Sequence, residues 1–293
     1  VIIYAMTENG RYVLDHILHN WGHMIAFVVV ARNKQLQNDH AEDIYKICGD
    51  HGLDYFQRGS EPEIDPDHFV LAISWRWLIN HPSQRLVIFH DSLLPKYRGF
   101  APLVNMLIKG EEEIGVSAIL GATSYDAGNI IAQESTPISH PIKISDAIKI
   151  NNINYLKLLE YVLQQILDDN LSEGIPQNKD DATYSIWRDF EDYYIDWNED
   201  AAAILRHIDA LGYPYAGART RTSTGDEIVI TDAQVVPDKK CELRHVGKVL
   251  SVEDGMPTVI CGRGLLQIKD ASIVTSEGLN DFLPMASFRV RFI

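Results

Sequence analysis

The stretch Leu86 to Leu103, LVIFHDSLLPKYRGFAPL, decides how the chain is read. Leu86 to Phe89 is an apolar run fit for a buried strand, and it ends in His90 and Asp91 before a turn punctuated by Pro95 and Gly99. In an open α/β sheet the ligand crevice lies beyond the carboxyl ends of the strands, so a titratable pair there is placed for chemistry. Working outward, Val1 to Ala5, Met24 to Ala31 and Phe69 to Ser74 are further strand-like runs. A polar turn, Thr7 to Gly10, leads into a helix bearing Val13, Ile17 and Leu18, and Ala41 to His51 is a second helix. This alternation predicts a doubly wound, mostly parallel sheet.

Towards the carboxyl end, Ala101 to Ile108 reads as a helix, and Ile114 to Leu120 with Ile130 to Pro137 as a strand pair. Ser145 is the expected cap of a long amphipathic helix carrying Tyr155, Leu159, Val162 and Ile166 at helical spacing. From Asp168 to Asp192 the composition turns polar and acidic, as in a linker, which sets the expected domains at 1–183 and 184–293. Asn198 is the expected start of another helix. The segments Glu227 to Ile230, Gly247 to Val252, Pro257 to Ile260 and Leu265 to Ile268 then suggest a small β-barrel-like domain.

Composition narrows the function. Twenty-six Lys and Arg against 41 Asp and Glu leave a formal net charge of −15 over 293 residues. Nucleic-acid binding needs clustered cations to displace counterions, so no nucleic-acid partner is expected. From Phe190 onward the count is 11 Lys and Arg against 16 Asp and Glu, so the second domain is not basic either. Three cysteines, Cys48, Cys241 and Cys261, show neither a disulfide framework nor a metal-ligand spacing, which fits a reducing cytoplasm and no metal. No apolar run approaches the ~20 residues of a spanning helix. The first residues, VIIYAMTENG, read as a strand and not as a signal peptide.

The run HDSLLPKYRGFAPL resembles the signature of the folate-dependent formyltransferases, N-x-H-x-S-L-L-P-x-[WY]-R-G-x-x-P, which move a formyl group from 10-formyltetrahydrofolate to an amine. A second family element, an aspartate in a D-x-G turn between two strands, is matched by GVSAILGATSYDAGNIIAQ, with Asp126 in the turn. The resemblance covers nearly the whole chain and implies an OB-like carboxyl-terminal domain. It assigns His90 and Asp126 to catalysis, the carboxylate fixing the imidazole tautomer. It also places Trp75, Arg76, Trp77, Leu78, Ile79 and Tyr125 beside the folate; read from periodicity alone, the two tryptophans are equally core aromatics. One position departs from the pattern. The family asparagine two residues before the histidine is Ile88 here, and an isoleucine offers an oxyanion no donor. Removing one such donor costs ~100- to 1000-fold in turnover. Ser92 is a candidate stand-in, and Asp91 is expected on the opposite face of the strand.

Known acceptors of the family include methionyl-tRNA, a purine precursor and nucleotide-linked amino sugars. Charge speaks against tRNA, and the purine branch is shorter. The stretch RDFEDYYIDW is similar to the R-x-x-E-D…IDW run of the sugar transferases. The expected substrate is therefore a UDP- or dTDP-linked amino deoxysugar destined for a surface polysaccharide, with pseudaminic-acid-type pathways as one setting. The alternatives are methionyl-tRNA, or an inactive folate-binding homologue. Tyr213 and Tyr215 are read as a base-stacking platform or as a packed junction. Asn9, Arg11, Lys96 and Arg98 are read as anion contacts, with a solvated turn as the other reading of Lys96 and Arg98. Association into a homodimer through the second domain is expected.

Overall fold

The computed structural model describes residues 1–293. Its strands are β1 (Ile2–Ala5), β2 (Phe27–Val30), β3 (Tyr55–Gln57), β4 (Val70–Ile73), β5 (Leu86–His90), β6 (Arg98–Gly99), β7 (Glu113–Leu120), β8 (Ile130–Pro137) and β9 (Tyr184–Ser185), followed by β10 (Ala218–Arg221), β11 (Glu227–Val236), β12 (Val249–Glu253), β13 (Met256–Ile260), β14 (Leu265–Thr275) and β15 (Gly278–Asp281). The helices are α1 (Thr7–Trp21), α2 (Ala41–Asp50), α3 (Pro102–Lys109), α4 (Ile144–Leu167) and α5 (Ala201–Leu211). None is long and apolar enough to cross a membrane.

The chain forms two compact units. The first comprises residues 1–103, 112–138 and 146–187; the second comprises 104–111, 139–145 and 188–293. Most of α3 and the segment 139–145 thus join the second unit, which a single cut in the linker does not anticipate.

In the first unit a seven-stranded sheet runs β3-β2-β1-β4-β5-β7-β8. β1 to β5 are parallel, and β7 and β8 close the edge antiparallel. The order reverses between β1 and β4, the topological switch of a doubly wound fold, where ligands bind. One sheet face is buried under α1, α2 and α4 by Ile3, Leu14, Ile17, Ile44, Leu71, Phe89, Tyr155 and Leu159. The other carries Ile2, Tyr4, Val29, Val70, Ala72 and Leu86, with Ile64, Trp75, Ile79 and Ile88 packed against them. Coil rather than helix supplies that cover, and the candidate site lies on this thinner side.

Local chemistry explains the shifts from the sequence reading. α1 starts at Thr7, so the stretch expected to be a turn is its first turn. Gly10 allows that helix to sit on β1: a Cβ there would lie 3.1 Å from Ala5 Cβ. α4 begins at Ile144, one residue before the expected cap, and α5 is capped by Asp200, whose Oδ1 accepts from Ala202 N at 2.8 Å. The second unit is a β10-β11-β14-β13-β12 sheet with β15 on β14, and α5 buries Ile204, Ile208 and Leu211. This α/β sheet unit with a smaller β-rich unit is the expected fold class.

Candidate active site

Side chains alternate along β5, so Val87 and Phe89 enter the helix-covered core while Leu86, Ile88 and His90 occupy the other face. His90 is only 8% exposed. Its Nε2 lies 2.8 Å from the Tyr97 carbonyl, and a carbonyl only accepts, so Nε2 carries the hydrogen. Nδ1 is therefore the basic nitrogen. It faces Asp126 Oδ1 at 3.5 Å. The tautomer is set by Tyr97 and not by the carboxylate, which corrects the role expected for Asp126. Two acceptors, Nδ1 and Oδ1, stand opposite each other and leave a place for a donated N–H between them.

Asp126 is fixed from several directions. Gly99 N donates to its Oδ2 at 2.8 Å, and its backbone is left-handed at φ 51°, a conformation aspartate tolerates better than most residues. Gly99 itself has φ 102°, and a Cβ there would meet Ser185 O at 2.4 Å. Gln177 Nε2 donates to the carbonyls of Asp126 and Gly128 at 2.8 and 2.7 Å. Gln177 Oε1 in turn accepts from Arg98 Nε at 3.0 Å and Nη2 at 2.6 Å. The chain Arg98–Gln177–Asp126 thus ties the turn after the signature to the second motif. Gln177 was invisible to sequence reading because it sits in a stretch that looks like solvated linker. Replacing Gln177 by alanine is expected to lower kcat by roughly 10- to 100-fold, since misplacing a catalytic group by ~1 Å costs about that much. Steady-state kinetics alongside a thermal melt checks this; kcat within twofold of wild type would show that the turn holds itself.

The S-L-L-P loop is stapled from beneath. Ser117 Oγ accepts from Leu94 N at 3.0 Å and from Gln133 Nε2 at 2.7 Å, and donates to Ser92 O at 2.6 Å. Ser92, fully buried, donates to Lys96 O at 2.7 Å. Its hydroxyl is thus committed to the loop, so it does not replace the missing asparagine.

The other candidate residues separate into two groups. Trp75 and Ile79 pack beside Ile88 on the His90 face. Trp75 meets Tyr4 edge-on at 4.8 Å and Trp77 at 5.2 Å, while its Nε1 is buried without a partner. Arg58 lies over Trp77 at 4.2 Å and Arg76 at 5.6 Å. Leu78 and Tyr125 are exposed at 71% and 61%, and Lys96 is exposed. By contrast, Arg98 is buried with its Nε and Nη2 committed to Gln177, which makes it a positioning residue. Asn9 is also buried, its amide donating to Ser74 at 2.8 Å and to Asp91 at 3.4 Å. Arg11 is paired with Glu8 at 2.7 Å within an ionic cluster on α1 and α2 that includes His40 and Asp43. Both were misread because residue type suggested an anion where the fold had already provided a partner. In the second unit Tyr213 is half-exposed and Tyr215 partly buried, on the turn that follows α5.

Asp91 faces the helix side, where Asn9 and Asn151 approach Oδ1 at 3.4 and 3.5 Å. Burial pushes its carboxyl above the ordinary range, against the opposing pull of Tyr155 and His90. A raised native pKa gives stability that is complete below the unfolded value and lost as pH rises through the native one. Asp91→Asn is therefore expected to flatten the loss of stability from mildly acidic to alkaline pH. Urea midpoints at pH 5 and 8 test this; identical pH dependence in both proteins would count against it.

Comparison with known proteins fits this geometry. Residues 64–149 match the formyl transferase family model, and residues 189–278 match the formyl transferase C-terminal domain. A methionyl-tRNA formyltransferase from Staphylococcus epidermidis is 37% identical over 163 residues, covering 56% of this chain and 52% of that protein. One from Ehrlichia ruminantium is 30% identical over 236 residues, covering 74% of this chain and 75% of that protein. The chain spans about half the length of its staphylococcal relatives. In fold it is similar to an N-formyltransferase from Helicobacter canadensis solved with folinic acid and dTDP-3-aminofucose, at TM-score 0.66 and 16% identity, covering 92% of this chain and 98% of that one.

Proposed function

The chain belongs to the formyltransferase family, and from that premise we propose that it is a 10-formyltetrahydrofolate-dependent N-formyltransferase in which His90 and Asp126 act on the attacking amine. The observation that carries this reading is the His90 Nδ1 to Asp126 Oδ1 pair, 3.5 Å apart, with Nε2 anchored on Tyr97. A folate fits the thinner sheet face: Trp75, Ile79 and Ile88 offer an apolar wall, and the partnerless Trp75 Nε1 is a donor suited to a polar ring edge. When bound, the cofactor supplies the formyl carbon on a departing amine nitrogen.

The protein's own part is proton handling. An incoming amine donates its N–H into the gap between Nδ1 and Oδ1, which points its lone pair away from that gap, towards the formyl carbon. As the new C–N bond forms, the amine nitrogen becomes positive and Nδ1 takes its proton. The imidazolium is stabilised by Asp126 on one side and the Tyr97 carbonyl on the other. It then holds the proton that the departing nitrogen requires.

For the acceptor we favour the amine of a UDP- or dTDP-linked amino sugar, supported by the acidic balance of residues 190–293. A second reading, transfer to methionyl-tRNA, draws on relatives such as the methionyl-tRNA formyltransferases of Staphylococcus epidermidis and Ehrlichia ruminantium, which favour it more than they favour the sugar. One assay separates the two: the full chain with 10-formyltetrahydrofolate and a panel of UDP- and dTDP-amino sugars beside charged initiator tRNA. Turnover of a sugar is the expected result. Turnover of tRNA alone overturns the acceptor, and folate binding without any turnover points to an inactive homologue.

A further inference from the structure

Three arginines with half-buried side chains have a carboxylate partner. Arg11 has Glu8, Arg219 has Glu227, and Arg244 has Asp238 with the carbonyls of Cys261 and Gly264. Arg98 has no carboxylate but shares the neutral Gln177 oxygen between two of its nitrogens. Arg188 is the arginine with a buried nitrogen left without a partner. Its Nη2 donates to Asn105 Oδ1, a neutral amide, while its Nη1 is buried with no partner at all. No carboxylate forms a salt bridge with it. The groups that act on it are the phenols of Tyr215 and Tyr193 and, more weakly, Asp192. Burial disfavours its charge, and burial likewise holds the neighbouring His207 towards its neutral form.

A buried guanidinium left short of an anion is costly unless something supplies one, and an unpartnered buried donor in a native site calls for an explanation. The surroundings suggest what supplies it. Tyr215, which feels the Arg188 charge, lies on the same turn as the half-exposed Tyr213. Beyond Arg188, Phe190 is exposed at 47% and stacks beneath Arg219 at 4.7 Å. An anion contact with a half-exposed tyrosine on the neighbouring turn matches a ligand that joins phosphate to a flat base.

We propose that Arg188 is a phosphate anchor in the second unit, its Nη1 edge taking a pyrophosphate oxygen of a nucleoside diphosphate whose base lies against the Tyr213–Tyr215 turn. This rests on the nucleotide-linked acceptor proposed above, and it is tested without any turnover. UDP, dTDP and inorganic pyrophosphate are titrated calorimetrically into the full wild-type chain, Arg188→Gln and Arg188→Lys, each checked by a thermal melt.

Wild type is expected to bind at least one nucleoside diphosphate. Arg188→Gln is expected to weaken it about 10- to 100-fold, the worth of a hydrogen bond to a charged group. Arg188→Lys, which keeps charge but loses the planar fork, is expected to fall between them. Arg188→Gln is not expected to melt lower, because the glutamine removes an unanswered charge. Equal affinity in wild type and Arg188→Gln overturns the anchor, as does a wild type that binds no diphosphate. Arg188-dependent binding of initiator tRNA with no response to UDP, dTDP or pyrophosphate also overturns it, in favour of a polynucleotide phosphate. Diphosphate binding through Arg188 in a protein that formylates no amino sugar leaves the anchor standing and removes only the acceptor reading.

Discussion

Replacing His90 by alanine is expected to lower kcat by ~100- to 10,000-fold, the range that a positioned general acid-base group contributes. The size follows from the geometry. Nδ1 is the one basic nitrogen of the ring, because Nε2 is held as a donor by the Tyr97 carbonyl at 2.8 Å. Without it the amine loses the nitrogen base that stands ready to take its proton. Asp126→Asn is the informative companion. The asparagine keeps the shape of the turn and can keep an oxygen on Gly99 N, but leaves the imidazolium uncompensated at the face where Oδ1 stood 3.5 Å away. Its loss is expected to fall mainly on kcat, with the KM of the formyl donor nearly unchanged, since neither atom is needed to hold the folate. Steady-state kinetics with the formyl donor varied measures both. His90→Ala activity within tenfold of wild type would show that the chemistry does not run through this ring.

The legible part of this protein is the part written in periodicity and in one long motif. β1 and β4 are four-residue apolar runs buried on both faces, and β5 is a like run ending in His90, so they announce themselves. β3 does not, because its burial pattern is mostly exposed and its three residues carry no period. At the site, His90 and Asp126 were marked by the residues around them, and the structure brings the two side chains together. The supports were hidden for a physical reason. Gln177 works through backbone carbonyls 51 and 49 residues away in sequence, and Arg188 through an amide 83 residues away. No local pattern encodes a partner at that separation. Asn9 and Arg98 failed in the opposite sense: their side chains suggested a ligand, but burial had already matched them to Ser74 and Gln177.

Restoring the family asparagine by Ile88→Asn is expected to raise kcat by ~100- to 1000-fold, the effect of one preorganised oxyanion donor. Ile88 and His90 lie two residues apart on one strand and share a face, so an amide at 88 projects beside the reacting group. Nothing on that face already performs the task through a serine: Ser92 is buried and donates to the Lys96 carbonyl. The substitution has a cost, because Ile88 packs against the cluster of Ile2, Tyr4, Val29, Val70, Ala72 and Leu86, and exchanging part of that apolar contact for an amide costs on the order of 1–3 kcal/mol. Turnover and stability should therefore move in opposite directions, a combination that a mere repacking of the pocket would not produce. Measured with the same donor and acceptor, a rise in kcat at constant KM places the oxyanion beside residue 88. A kcat that stays level while the melting temperature falls means the oxyanion already has a donor, and Trp75 Nε1, buried and without a partner on this same side of the sheet, is the group to remove next.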